Sequence, residues 1–265
     1  MSDQTSTALI DPALADAADG PVVWAAQLRL NGPRRTSRHH HARGQLLGAH
    51  QGLLRIDVGH LHWLLPAGHV AWIPPSLPHA LVSAERFDGW SLYFNAGACL
   101  GLPVTPRILQ PNALLKAATT RALQWPHSPL DAVQARLTGV IADEIAASTP
   151  LPLALAQPRD RRLRRIAAAL ARAPHDNRSI EAWAIASGLS SRSLARRWLA
   201  ETGMTLSRWR QRLRVLLALP HLLAGEPVIS VALSMGYDTP GAFISVFKRE
   251  MGVTPARYGK GDGGN

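Results

Sequence analysis

Residues 188–205 have the sequence GLSSRSLARRWLAETGMT, and residues 236–254 have the sequence GYDTPGAFISVFKREMGVT. Each stretch contains a glycine, a Ser or Thr suited to cap a helix, a helical pattern with two apolar residues four apart, and a closing glycine. The matched positions are Leu194, Trp198, Glu201, Gly203 and Thr205 in the first stretch and Phe243, Phe247, Glu250, Gly252 and Thr254 in the second. This repeat predicts two helix-turn-helix units. A generic repeated helical hairpin is the alternative that periodicity alone leaves open.

The first unit has an exposed face suited to reading DNA bases. A helix over Ser191–Thr202 would turn Leu194 and Trp198 inward and place Arg192 and Arg196, four residues apart, on the opposite side. Two guanidinium groups one turn apart can reach O6 and N7 of guanines in a major groove. The neighbouring polar side chains are predicted to hold phosphates, and they are Ser191, Ser193 and Arg197.

The second unit has a plainer exposed face. Thr239 followed by Pro240 predicts a helix start, because Thr is a good N-cap and Pro fits the first helical turn. Opposite Phe243 and Phe247 the helix presents mostly small residues and two basic ones. The sequence therefore predicts that this unit grips the DNA backbone through Thr239, Lys248 and Arg249, with Ser245 touching a base edge.

The distribution of charge supports a polyanion as the partner. The chain of 265 residues has a formal net charge of +11, with a balance of +1 up to Pro158 and +10 in residues 159–265. Such an asymmetry is typical of nucleic-acid binding, although Arg-rich solvated helices are the simpler alternative. The helix predicted between the two units, Leu206–Ala224, would span about 28 Å, close to the roughly 34 Å between successive major grooves on one face of B-DNA.

Residues 159–258 resemble the DNA-binding domain of the AraC/XylS family of bacterial transcription regulators. The resemblance rests on the residues quoted above together with Val228-Ile229, Ala232, Met235-Gly236-Tyr237, Phe247-Lys248-Arg249, Gly252-Val253-Thr254-Pro255 and Tyr258. It implies an all-helical module that binds promoter DNA. It also implies base contacts at the positions of Arg192, Ala195, Arg196, Gly241, Ala242 and Ser245. This chain departs from the polar residues usual in the family at Ala195, Gly241 and Ala242, which weakens direct base reading by the second unit.

The first half of the chain predicts a small β-domain. Short β-branched or aromatic runs alternate with Gly- and Pro-containing turns, and they are Val22–Leu30, Gln45–Ala49, Leu53–Val58, Leu61–Leu65, Val70–Ile73, Ala80–Ser83 and Trp90–Phe94. Strands of this number and spacing favour a barrel or jelly roll. The predicted fold class is therefore α+β and multidomain, with an N-terminal β-barrel or jelly roll and a C-terminal all-α domain with two helix-turn-helix units.

The histidines of this half suggest a binding site. His39, His41, Gln45 and Gly52 have the spacing of one cupin motif, and Gly68, Pro74 and His79 have that of the other, with Gln in place of the usual Glu. This half therefore resembles a cupin-like sensor domain. We expect His39, His41, Gln45 and His79 to form an effector or metal pocket, with His39 and His41 on one face of a strand. Imidazoles suit a divalent Zn, Ni, Cu or Fe ion, and a polar pocket without metal is the alternative.

The other aromatic and histidine residues are assigned more ordinary places. His40, His50, His60, His62 and His69 are predicted to be surface or hairpin residues. The candidates to bound the barrel interior are Trp24, Trp63, Trp72 and Trp90, although ordinary packing is the expectation for each of them singly. The single Cys99 excludes a disulfide framework and suits a reducing cytosol. Apolar runs are too short for a membrane span.

The predicted organisation follows from these patterns. It comprises a flexible N-terminus (1–20), the sensor domain (21–110), a helical pair with a candidate dimerisation surface (111–147), a linker (148–158), the DNA-binding domain (159–258) and a flexible tail (259–265). The chain is predicted to be a cytoplasmic, sequence-specific transcription regulator without catalytic residues. Its expected partners are promoter DNA, a small-molecule effector, a second copy of the chain and, for an activator, RNA polymerase.

Two other function classes remain as alternatives at this point. One is a metal-dependent cupin enzyme, a dioxygenase or an isomerase, with a basic helical appendage. Its only support is the set of three histidines, and the sequence offers no nearby acid-base pair. The other is a nucleoid-type DNA binder with no preferred sequence.

Overall fold

The computed structural model describes residues 17, 20–30, 32–83, 86–126, 129 and 131–260. The chain divides into two compact units. The first contains the chain up to Gly59 together with Trp63–Leu151, and the second contains His60–His62 together with the chain from Pro152 onward. The predicted flexible N-terminus and tail lie almost entirely outside the described residues. Within those residues, no helix combines the length and the apolar composition that a bilayer crossing requires.

The first half of the chain folds into antiparallel strands at the places that the alternating patterns predict. The strands are β1 (Val23–Leu30), β2 (Arg34–Arg35), β3 (Gly44–Gln51), β4 (Leu53–Val58), β5 (Leu61–Pro66), β6 (Val70–Ile73), β7 (His79–Ser83), β8 (Phe87–Phe94) and β9 (Arg107–Leu109). One sheet has the order β1-β8-β3-β6-β9, and the other contains β5-β4-β7-β2. The sheet-rich N-terminal domain is confirmed, and its strands form two separate sheets instead of one closed barrel.

Side chains on β3 alternate between two environments. Leu46 packs with Trp72, Leu92 and Phe94 on the face that meets two helices, α1 (Ala113–Ala122) and α2 (Ala132–Ala147). Gln45, which lies opposite Tyr93 of β8 in the register, belongs to the other face and is fully buried. Because successive strand residues point to opposite faces, the apolar layer around Leu46 lies on one side of the sheet and Gln45 on the other. We call the buried polar side chains on the side of Gln45 the polar interior.

Two of the four tryptophans have the ordinary packing expected of each singly. Trp72 and Trp90 pack in the apolar layer with the helices and do not bound the polar interior. Gly44 and Gly48 of β3 make room for them, since a Cβ atom would lie 2.3 Å from Trp72 at position 44 and 2.7 Å from Trp90 at position 48. Trp24 packs against Tyr93, and Trp63 is half-buried.

From Pro152 to Lys260 the second unit is helical apart from one short strand. Its elements are β10 (Ala154–Ala156), α3 (Arg161–Arg172), α4 (Ile180–Ser187), α5 (Ser191–Thr202), α6 (Leu206–Leu223), α7 (Val228–Ser234), α8 (Pro240–Met251) and α9 (Pro255–Gly259). Helix α6 carries a dense buried face that includes Trp209, Leu213 and Leu216. The indole N–H of Trp209 donates to the carbonyl of Ala156 over 2.7 Å, which attaches β10 to α6.

Candidate functional site

The first helix-turn-helix unit consists of α4 and α5. Ser190 caps α5 by accepting a hydrogen bond from the backbone N–H of Ser193, and Gly188 has a left-handed φ of 65° in the turn. Leu194 and Trp198 are fully buried, as the helical spacing predicts. The turn and the two buried side chains fix which side of α5 faces outward.

The outward side of α5 presents the predicted base-reading residues. Arg192, Ala195 and Arg196 are all exposed. Together with the start of α4 and the start of α6 they form a groove of about 780 Å³, whose other lining residues are Arg178, Ser179, Ile180, Glu181, Leu199, Thr205, Leu206, Ser207 and Arg210. The groove is therefore lined by four arginines and one carboxylate, so it suits an anionic surface.

Two of the residues predicted to contact DNA phosphates, Arg197 and Ser193, already have partners within the protein. The guanidinium of Arg197 pairs with Asp160 at 3.2 Å, where Asp160 is the N-cap of α3. The hydroxyl groups of Ser190 and Ser193 hydrogen-bond to each other over 3.0 Å. A phosphate contact by Arg197 would have to compete with this ion pair, and the assignment of these side chains to phosphates stays a prediction.

The second unit, α7 and α8, repeats the buried plan of the first. Thr239 caps α8 with Pro240 as its first residue, and Phe243 and Phe247 are fully buried. The outward positions 241, 242, 245, 248 and 249 are all exposed. Ser245 already donates to the carbonyl of Gly241 over 2.9 Å, and Arg249 donates to Gln211 of α6 over the same distance.

One buried arginine joins the two helix-turn-helix units. Arg214 of α6 is 5% exposed, and its Nε donates to the carbonyl of Pro174 over 2.6 Å. Its other nitrogens donate to Asn177 before α4 and to Gly236 in the turn before α8. Because guanidinium donors have a fixed geometry, this side chain sets the position of both units relative to α6.

The second candidate site lies in the N-terminal domain, where three histidines converge. His39, His41 and His79 each offer one ring nitrogen, and these atoms all lie within 4.8 Å of one another. His39 reaches the group through an isolated bridge to His79 of β7, with backbone hydrogen bonds of 2.9 and 2.8 Å. The expectation that His39 and His41 share a regular strand is wrong, because the described strands leave both residues in loop backbone.

The protonation of the three rings follows from their backbone partners. Nδ1 of His39 contacts the carbonyl of Ser37 at 2.8 Å, that of His41 contacts Arg43 at 2.6 Å, and that of His79 contacts Leu77 at 2.8 Å. A carbonyl oxygen only accepts, so each neutral ring carries its proton on Nδ1. The three Nε2 lone pairs are left as the acceptors of the group.

Gln45 is oriented toward this group by neighbours on β8. Its Nε2 donates to the hydroxyl groups of Ser91 over 2.8 Å and of Tyr93 over 3.1 Å. With both donors directed away, its Oε1 lies 3.4 Å from Nε2 of His41. Two acceptors therefore face each other, an arrangement that a proton or a cation between them would stabilise.

Burial keeps the centre of the site uncharged. Desolvation, with a smaller contribution from the other histidines, lowers the pKa of His79 to about 3, so the ring is neutral at pH 7. Its buried Nε2 has no hydrogen-bond partner among the residues that the structure describes. Burial also raises the pKa of Tyr93 to about 12, which keeps the phenol protonated. A buried acceptor without a partner is costly, so the site is suited to bind a cation or a donor group.

The scattered histidines lie on the surface or in the connections between strands, as predicted. His40, His50 and His60 are exposed and His62 is half-buried. His69 lies in the connection between β5 and β6 but is 3% exposed, and desolvation lowers its pKa to about 4. It follows the turn at Gly68, and its Nδ1 contacts the carbonyl of Ala67 at 3.3 Å.

The sequence did not point to three further polar residues of the interior. Ser91 and Tyr93 alternate along β8 with the apolar residues Leu92 and Phe94, and Arg34 of β2 is 3% exposed. The two residues on β8 sit in a run dominated by apolar residues, so only the register of β8 against β3 reveals them. Arg34 and Arg35 are adjacent in the sequence, but only Arg35 is exposed, as arginine side chains usually are.

Comparisons with known proteins identify the two parts of the chain. A family model described as a helix-turn-helix domain matches residues 183–261, and one described as an AraC-like ligand binding domain matches residues 25–184. The HTH-type transcriptional regulator NimR of Escherichia coli K12 is 30% identical over 226 residues, covering 83% of this chain and 81% of the relative. The regulator RipA of Corynebacterium glutamicum is 35% identical over 105 residues, which cover 39% of this chain and 31% of that protein.

Solved structures also align with this chain. ToxT from Vibrio cholerae aligns with 91% of this chain and 98% of its own length, at 10% identity and a TM-score of 0.39.

Proposed function

Because this chain belongs to the AraC family of transcription regulators, we propose that it recognises promoter DNA mainly through α5 and responds to a small ligand held between its N-terminal sheets. The family makes it a regulator and not an enzyme, which overturns the alternative of a cupin dioxygenase or isomerase. The observation that carries the proposal is the pair of exposed arginines on a capped helix of a helix-turn-helix unit.

Base reading is assigned to the first unit. Arg192 and Arg196 can each donate two hydrogen bonds to a guanine, and Ala195 between them offers an apolar contact to a thymine methyl group. The second unit presents Gly241 and Ala242 at the matching positions, so it would hold the backbone through Lys248 and Arg249. Ser191, Ser193, Arg197 and Thr239 are the further phosphate candidates, and Ser245 is the one polar side chain of α8 placed for a base edge.

The experiment that tests this assignment is selection from random duplex DNA with the full chain, followed by sequencing. We expect an enriched site with one strongly specified block, read by α5, and one weakly specified block about one helical turn away, where α8 would lie. Arg192→Ala with Arg196→Ala should erase the strong block. Recovery of no preferred sequence would instead favour a nucleoid-type binder.

The ligand-binding role is assigned to the polar interior of the N-terminal domain. His39, His41, Gln45 and His79 surround one point there. A ligand that binds one conformation of the chain more tightly than another shifts the population toward that conformation and so changes DNA affinity. Binding of DNA and binding of the ligand are then coupled in both directions.

We further propose that the three histidines hold a divalent transition metal. Nitrogens bound at about 2.1 Å to a tetrahedral ion lie about 3.4 Å apart, so the group needs only a modest contraction. Backbone carbonyl groups already orient all three rings through their Nδ1 atoms. Metal-bound histidines are usually oriented in the same way, by a hydrogen bond from the ring nitrogen that does not bind the metal. The unpartnered Nε2 of His79 supports this fit. The metal would supply a Lewis-acidic position for a ligand, with Gln45 as a neutral neighbour.

Calorimetric titration of the metal-depleted full chain with Zn²⁺ tests this part. We expect one ion per chain for the native protein, and a loss of affinity of about 100-fold or more for His79→Ala. His50→Ala, which removes an exposed histidine, is the matched control and should bind as the native protein does. Equal affinity of the native protein and His79→Ala would remove the metal assignment and leave a metal-free polar pocket.

The helical pair is proposed as the contact between two copies of the chain. A groove of about 660 Å³ lies along α1 and α2, and its rim includes Leu114 and Val133, which are 50% and 54% exposed. Exposed aliphatic side chains beside a groove are typical of protein interfaces. Sedimentation should show a dimer at micromolar concentration and a monomer for Leu114→Asp with Val133→Asp.

The regulator would act in the cytoplasm, and as an activator it would also contact RNA polymerase.

A further inference from the structure

The N-terminal domain contains many more arginines than acidic residues. Between residues 21 and 110 the sequence has eight arginines and three acidic residues, Asp57, Glu85 and Asp88. Asp57 pairs with Arg55 and Asp88 with Arg29, both at 2.9 Å, while Glu85 lies outside the described residues. The two described carboxylates are therefore paired with arginines of their own neighbourhood and are not directed to the histidine group.

The histidine group itself supplies only neutral donors. Desolvation and the other histidines lower the pKa of His79, and no carboxylate among the described residues contributes to that shift. Gln45 occupies the place where the related motif has a Glu. A divalent ion held by three imidazoles and an amide would keep its full double charge in a buried site, which is unfavourable without an anion.

Arg34 adds positive charge on the same side of the sheets. It lies opposite Ser83 of β7 in the register and is 3% exposed. Its charge acts on the phenol of Tyr93 in the direction that lowers its pKa, although burial outweighs this and raises the pKa overall. Tyr93 in turn accepts from Gln45, whose Oε1 faces His41. Short polar contacts therefore lead from the neighbourhood of the guanidinium to the histidine group.

The segment that leads into the site is also basic. Residues 34–41 have the sequence RRTSRHHH, and Arg35, Arg38 and His40 are exposed. Exposed arginines beside the buried Arg34 attract anions and raise their local concentration. A neutral or cationic ligand would gain nothing from this arrangement.

We propose that the ligand sensed by this domain is a small carboxylate, which binds to the metal held by His39, His41 and His79 and pairs with Arg34. The inference rests on the proposed metal site and names the class of ligand for it. It follows that metal and carboxylate each raise the affinity of the chain for the other, since coupling between two ligands is reciprocal.

The test uses the full chain loaded with Co²⁺, whose visible absorption reports the ligands of the ion, and titrates it with propionate. Propionamide is the uncharged isostere. We expect saturable spectral changes with propionate and none with propionamide. Arg34→Gln should retain Co²⁺ and weaken propionate binding about tenfold or more, because it removes a charge-assisted contact. Arg86→Gln, which changes an exposed arginine outside residues 34–41, should stay within about twofold of the native protein.

Each outcome bears on a different part of the proposal. A Co²⁺ spectrum that propionate leaves unchanged overturns the carboxylate inference and leaves the metal site intact. Equal responses to propionate and propionamide, or equal propionate affinity with and without metal, also overturn it. Failure to bind Co²⁺ at all overturns the metal site and the inference together. If circular dichroism shows that Arg34→Gln does not fold, Arg34→Lys replaces it. The Lys variant keeps the charge, so it should bind propionate more tightly than any uncharged variant at position 34 that does fold.

Discussion

The two helix-turn-helix units share a buried plan and differ on their exposed faces. Helices α5 and α8 both have twelve residues, a hydroxyl N-cap and a closing glycine with a left-handed backbone, and both bury two large side chains four residues apart. Outward, α5 presents two arginines, whereas α8 presents glycine, alanine and serine at its start. The buried residues are constrained by packing in both units, while the exposed ones are free to acquire different roles.

The turns of the two units differ in a less visible way. Gly188 and Gly236 both have positive φ, 65° and 79°. A Cβ at Gly188 would meet nothing within 4 Å, whereas one at Gly236 would lie 2.5 Å from Cα of His175. The second unit is therefore held against the loop before α4, with Arg214 between them. Among the described residues, the turn of the second unit is thus the more closely packed of the two turns.

The largest expected effect separates these two glycines. Gly236→Ala should destabilise the chain by roughly 2–5 kcal/mol, because left-handed strain of about 1–2 kcal/mol adds to an overlap with backbone that cannot move away easily. Gly188→Ala should cost only the strain, about 1–2 kcal/mol. Urea unfolding of both variants measures the difference. Equal costs would show that the close approach at Gly236 relaxes freely.

The next effect concerns the exposed faces. Arg192→Ala with Arg196→Ala should weaken binding to the selected DNA site by about 100-fold or more, since each bidentate contact to a guanine contributes roughly 1–3 kcal/mol. Binding to unrelated DNA should fall much less. Lys248→Ala with Arg249→Ala is the matched control on α8 and should weaken both kinds of DNA similarly, with a shallower dependence on salt. Fluorescence anisotropy at several salt concentrations distinguishes the two patterns, and identical behaviour of the two double variants would contradict the division of roles.

The smallest effect is expected at the start of α8. Ser245 already donates to the carbonyl of Gly241, so its hydroxyl hydrogen is engaged before DNA arrives. Ser245→Ala should change affinity for the selected site by no more than about twofold, because the lost contact is a neutral one. The same anisotropy titration measures it. A tenfold loss would show that α8 reads bases directly.

The elements of both units could be predicted from sequence because their signals are local. Leu194, Trp198, Phe243 and Phe247 follow helical periodicity, and each helix starts after a capping hydroxyl. Most strands of the first half were predicted to within about two residues for the same reason. The short strands β2, β9 and β10 have two or three residues each, too few to show alternation.

The polar interior could be predicted only in part. Histidine spacing identified His39, His41 and His79, and a cupin-like motif added Gln45. Arg34, Ser91 and Tyr93 join them through strand pairing, which connects positions more than 40 residues apart along the chain. His69 was assigned to the surface or a hairpin, and although it does lie in a connection between two strands its side chain is buried. Such long-range packing has no local sequence signal.

The attachment of β10 to α6 has a practical consequence for dissecting the protein. The indole of Trp209 and the guanidinium of Arg212 donate to the carbonyl groups of Ala156, Ala154 and Pro152. A DNA-binding fragment that begins at Arg159 would lack all three acceptor carbonyl groups. The indole N–H of Trp209 would then lose its hydrogen-bond partner. A useful proteolytic or recombinant boundary therefore lies before Pro152, several residues upstream of the first helix of the module.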